Sequence, residues 1–128
     1  FGLKKGAIAS SVGHDCHNIL AVGADDASII EAVNILIREK GGVFAFDGHN
    51  RKMVSLPIGG IMTDKNGYEV GTEYAEADKL AKEMGSKLRA PFMSLSFMAL
   101  LVIPSLKLSD KGLFDGEKFE FKSLFVKW

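Results

Sequence analysis

A chain of 128 residues is long enough to bury a real core in one domain and too short for two. Its sixteen basic and sixteen acidic residues cancel, which excludes a global pull toward nucleic acid or an anionic membrane. A hydrophobic share of 47% beside 25% charged residues excludes a disordered chain.

In chain order, Ala7 to Val12 and Asn18 to Val22 read as short strands flanking the polar turn His14-Asp15-Cys16-His17. Asp25 and Asp26 are N-cap candidates for a first helix over 26–40, and Ser28 to Glu31 has capping-box form. Ile29, Val33 and Ile37 share one helical face, and Gly41-Gly42 stops the helix. Val43 to Phe46 and Lys52 to Leu56 are strands joined by the hairpin loop Asp47 to Arg51, which leaves His49 exposed.

Pro57 and Gly59-Gly60 then break regular structure. A second helix over 68–84 places Val70, Tyr74, Ala77, Ala81 and Met84 on its inner face. Pro91 to Leu106 is almost uniformly apolar, and its composition favours a short helix ending before Pro104. Turn signals at Asp110 to Gly112 and at Asp115-Gly116 separate extended pieces, and Lys118 to Lys122 alternates as a half-exposed strand does. The expected fold class is α+β: a single small domain with a mixed or antiparallel sheet of short strands and two to three amphipathic helices.

Cys16 is alone, so no internal disulfide forms, and the expected location is the cytoplasm. The longest apolar run, Met98 to Ile103, falls far short of the ~20 residues that span a bilayer. A thiolate nucleophile needs a base within reach, and the neighbouring His17 points away from Cys16 in most turns. Gly41-Gly42 and Gly59-Gly60 lack the strand-then-helix pattern of a phosphate cradle, so they read as a helix stop and a turn.

Two of the three histidines fall within His14 to Asn18, beside Asp15. Three readings of this cluster stay open. It can line a pocket, it can be a structural turn capped by Asp15 or Asn18, or His14, Asp15 and His17 can ligate a metal. The apolar stretch 92–103 offers a separate possibility, a surface for packing against another domain or subunit.

Gly6-Ala7-Ile8-Ala9-Ser10-Ser11, with His14-Asp15 and His17-Asn18, resembles a segment of the C-terminal domain of bacterial and archaeal adenine deaminases. Leu56 through Asp64 and Pro91 through Asp115 resemble further blocks of that family. Gly13 and Cys16 stand where the family has alanine and serine, and Leu101 where it commonly has proline.

The resemblance implies that residues 1–128 are one C-terminal domain of a longer enzyme, without the (β/α)₈ amidohydrolase barrel. Adenine is then the substrate, and hypoxanthine and ammonia are the products in purine salvage. The resemblance also implies Mn2+ (or Fe2+ or Zn2+) held by the barrel, with no metal and no catalytic residue in this segment. Ser11, His14, Asp15, His17 and Asn18 become candidate pocket residues beside the barrel domain, with homo-oligomer formation left open. A binding or assembly module that packs through 92–103, and a small hydrolase built on His14, Asp15 and His17, are the competing expectations.

Overall fold

Strand β1, Ala7–Ser10, carries small side chains at Ala7 and Ala9 and a large one at Ile8, and all are fully buried. Period-two alternation sends Ala7 and Ala9 to one face of the sheet and Ile8 to the other, so both faces need cover. The computed structural model, which describes residues 1–126, supplies that cover from helices on each side.

The main sheet has the order β2-β1-β3-β4, where β2 is Leu20–Gly23, β3 is Gly42–Phe46 and β4 is Arg51–Ser55. Every pairing is antiparallel, with Ala7 opposite both Gly23 and Phe46 and with Val43 opposite Val54. Helix α1, Asp26–Arg38, connects β2 to β3 past the intervening β1. It packs Ala32, Ile35 and Leu36 on Ala7, Ala9 and Phe44. Alanines at those two strand positions let the helix lie close to the sheet.

Helices α2, Gly67–Glu83, and α3, Pro91–Ser96, cover the opposite face. There Ala77, Leu80, Ala81, Phe92 and Leu95 meet Ile8, Val43, Ala45 and Val54. Burying a single side chain such as Leu36 or Phe92 stabilises the fold by about 1.5–3 kcal/mol. A second sheet, order β5-β6-β7, follows α3, with β5 Leu106–Ser109, β6 Gly112–Asp115 and β7 Glu120–Lys122. Phe119 and Phe121 stand edge-on to the buried Phe114 and form its small aromatic centre.

This architecture is the α+β class expected from the sequence, and several boundaries move for physical reasons. The first strand ends at Ser10 and the second begins at Leu20, because the polar turn occupies more of the chain than expected. Asp25 is the N-cap of α1 and accepts from the Ser28 backbone N–H at 2.8 Å, so Ser28 belongs to the first turn and heads no capping box. Helix α3 stops at Ser96; beyond it, three-residue turns close through Met98 N to Leu95 O and Leu100 N to Phe97 O. In the tail, Phe119 adopts φ +55°, so the extended run begins only at Glu120.

Gly41 shows why a glycine follows α1. Its N–H closes the helix on Leu36 O at 2.8 Å, and its φ is +123°. A Cβ there would sit 2.4 Å from Gly60 Cα. The close approach of these two backbones fixes the 57–62 loop against the end of α1.

The β3–β4 hairpin loop is organised by Asp47. Its carboxylate accepts from the backbone N–H of Asn50 and His49 and from Lys5 Nζ, and these bonds hold it well below the usual carboxylate range. A folded-state pKa depressed in this way gives stability that is complete above the unfolded value of 3.8. That stability is lost as pH falls through the lower folded value. Asp25, whose carboxylate accepts from Ser28, is shifted in the same direction. A thermal-melting series from about pH 6 to about pH 2 is therefore expected to fall below about pH 4. Asp47→Asn should lower the midpoint at neutral pH and flatten the acid limb.

Candidate functional site

Three stretches distant in sequence meet beyond the C-terminal end of β1, and one buried hydroxyl begins the assembly. Ser11 Oγ donates to Gly60 O at 2.5 Å and accepts from Gly42 N at 2.8 Å, while the Ser11 backbone N–H bonds Gly42 O at 3.0 Å. Ser11 is 5% exposed. Its hydrogen-bonding capacity goes into fastening β1, β3 and the 59–60 turn together. The structure therefore places Ser11 beneath the candidate site and apart from the exposed residues that follow it.

Two residues on, the chain leaves the sheet. His14 N donates to Ser96 O at 2.8 Å, and the imidazole lies flat on Phe97, with centroids 4.6 Å apart and planes 15° from parallel. This contact ties the turn to the end of α3. The turn closes through His17 N to Gly13 O at 2.7 Å, with His17 at φ +51°. A non-glycine residue in the left-handed region costs of order 1–2 kcal/mol, so surrounding contacts must hold it there.

His14 is half-buried, whereas Asp15, Cys16, His17 and Asn18 are exposed. Asp15 Oδ1 lies 3.5 Å from His14 Nδ1, and the two imidazole centroids are 6.5 Å apart. Of the five candidates, His14 and Asp15 are directly paired, His17 stands beside them, Asn18 faces a neighbouring groove, and Ser11 lies below. Among the described residues no three His, Cys, Asp or Glu side chains gather as metal ligands do. Among the described residues the donor set does not fit a metal centre.

A cleft of about 150 Å³ opens beside His14, lined by Val12, Val43, Tyr74, Phe92 and Met93 among others. That is below the 300–1,000 Å³ or so of a small-molecule pocket, and suits one inserted side chain. Tyr74 on its wall has its phenol pushed up, first by burial and then by Asp78. Phe97 and Tyr74 carry no signal in the sequence that marks them as site residues. Nothing local distinguishes them from core aromatics, since only the packing of α3 on β1 brings Phe97 under an imidazole.

The stretch 92–103 is divided by the fold. Phe92 and Leu95 enter the core, while Met93, Met98 and Val102 are about half exposed. No helix among the described residues is long and apolar enough to cross a membrane.

An α+β domain fastened at Gly60 through Ser11, with its polar turn bonded to Ser96, is a specific arrangement, and comparison with known proteins assigns it. The family model described as "Adenine deaminase C-terminal domain" matches residues 1–120, and the chain belongs to that family. Curated relatives named adenine deaminase agree. The chain is 61% identical to one from Sulfurovum sp. (strain NBC37-1) over 94% of its own length. It is 52% identical to one from Methanosarcina acetivorans and 50% identical to one from Salinibacter ruber, each over 98% of its length. In all three cases the chain spans 23% of the relative, so the relatives are about four times longer.

Ser11→Ala removes the buried hydroxyl and leaves the Gly42 N–H and the Gly60 carbonyl without their partner. Each buried group left unsatisfied costs about 1–3 kcal/mol. A urea titration is expected to show a lower midpoint for this variant with an unchanged slope.

Proposed function

We propose that this chain is the C-terminal domain of an adenine deaminase, and that its His14–Asn18 turn completes the active site of an amidohydrolase barrel elsewhere in the same polypeptide. The reaction is adenine plus water to hypoxanthine plus ammonia. The observation that carries the reading is the convergence of the three resembling blocks. Ser11 of the first bonds Gly60 of the second, and His14 of the first bonds Ser96 and stacks on Phe97 of the third.

Residues kept together by direct bonds between distant blocks, and ending in exposed polar groups, suit a surface that serves another domain. His14 is the residue best placed to act. Phe97 fixes the plane of its ring, and Asp15 beside Nδ1 leaves Nε2 to hydrogen-bond a purine edge or a group that positions one. His17 and Asn18 supply further donors and acceptors on the same exposed turn. The deaminase reading implies a divalent metal, Mn2+ or Fe2+ or Zn2+, that activates water for attack on the ring. Its ligands belong to the barrel, and the part played by this chain is to bind, orient and exclude water. Purine salvage in the cytoplasm is the setting that accords with this reaction.

The test is His14→Ala in the longer polypeptide, assayed with adenine. The expected result is a fall in kcat/KM of about tenfold or more, corresponding to about 1.4 kcal/mol of lost transition-state stabilisation. Circular dichroism should stay unchanged, because His14 is only half-buried. An unaltered kcat/KM would reduce the turn to a structural role and favour a non-catalytic packing module, for which exposed Met93, Met98 and Val102 are the supporting observation.

A further inference from the structure

A groove of about 680 Å³ runs along the other side of the polar turn, between it and the β5–β6 hairpin. Ile19, Leu20, Leu101 and Leu108 supply apolar walls, and Cys16 and Asn18 form the end nearest His14. Leu108 is 70% exposed, and Leu106, which shares its face of β5, is 53% exposed. Two large apolar side chains on one strand face, beside an apolar-walled groove, form a contiguous patch of the kind that marks an interaction surface. The hairpin's aromatic residues do not cover it, since Phe114, Phe119 and Phe121 pack on one another. Asp110 stands on the rim, exposed, and joins no ion pair among the described residues.

We infer that this groove is the seat of the neighbouring domain of the same polypeptide. The occupant is an apolar segment that enters between Ile19 and Leu108 and brings a Lys or Arg to Asp110. The inference rests on the deaminase reading above and adds to it the face by which the two parts join. Length favours this occupant: about three quarters of each relative lies outside the stretch that this chain matches.

Size favours it as well. Nine residues line the groove, against roughly 20–30 per side in a stable complex of separate proteins. A tethered segment needs no such area, because the chain connection holds it at an effective concentration of order millimolar. Docking here would also explain how an exposed turn with an αL residue at His17 is held in one geometry. The occupant would press on Cys16 and Asn18, on either side of His17.

Cys16 makes the inference testable, since the thiol is exposed in the isolated domain and lies in the groove. The longer polypeptide is treated with a bulky maleimide, and labelling of the Cys16 peptide is followed by mass spectrometry. Three proteins are compared: the unmodified polypeptide, Leu108→Asp, and Ile30→Asp on the exposed outer face of α1 as control. Labelling of Cys16 should be slow in the first and third and roughly tenfold or more faster in Leu108→Asp, as local opening requires.

Free labelling in the unmodified polypeptide overturns the inference. So does slow labelling that Leu108→Asp leaves unchanged. Protection that fades on dilution assigns the groove to a second copy and also overturns it. Adenine deamination is measured on the same unmodified sample. Activity without protection rejects the docking face alone, and protection without activity rejects the deaminase reading alone.

Discussion

One buried hydroxyl governs the geometry of this domain. Ser11 Oγ has a single proton to give and spends it on Gly60 O, while its lone pairs take the Gly42 N–H. Those partners lie 49 and 31 residues away, so the bonds close long loops of chain through one atom. They form because Gly41 lets its backbone approach Gly60 Cα to a distance that a Cβ on Gly41 would block. The hydroxyl joins the end of β1, the start of β3 and the loop after β4 through one atom. The polar turn that follows inherits its position from that junction.

The sheet explains why the site sits where it does. β1 is sandwiched between β2 and β3 and covered on both faces, so none of its four residues is free to meet another molecule. Polar groups can appear only where the strand runs out, and it runs out at Ser10. A backbone bond from His14 to Ser96 then carries the turn across to α3. The result is a rigid frame with a polar edge: His14 held on Phe97, Asp15 to Asn18 exposed, and apolar ground on either side.

Much of this was legible in the residues. Asp25 caps α1 and Gly41 ends it, and side-chain period alone marks α2, so both helices could be placed within about two residues from local chemistry, while the Asn66 cap of α2 emerged only in the structure. Gly-containing turns also separated β5, β6 and β7 correctly. The stretch 92–103 was harder. Its apolar composition says only that it is half or more buried, and the decision between helix, turn and partner surface fell to packing. Phe92 and Leu95 found a place under the sheet, after which the chain had to turn outward toward the second sheet. The separation into two sheets left no mark in the strand patterns, because alternation is the same whichever sheet a strand joins.

The sequence by itself determined the class of fold, the two long helices, the breaks between strands and the blocks that carry the family likeness. These follow from short-range effects: side-chain period, caps, and the conformations open to glycine and proline. Only the tertiary structure decided that Ser11 is a fastener below the site, that Phe97 is the seat of His14, and that Cys16 and Leu108 line one groove. Each of those facts depends on which distant segment arrives opposite a residue, and that is settled by how helices and strands fill the space on the two faces of β1.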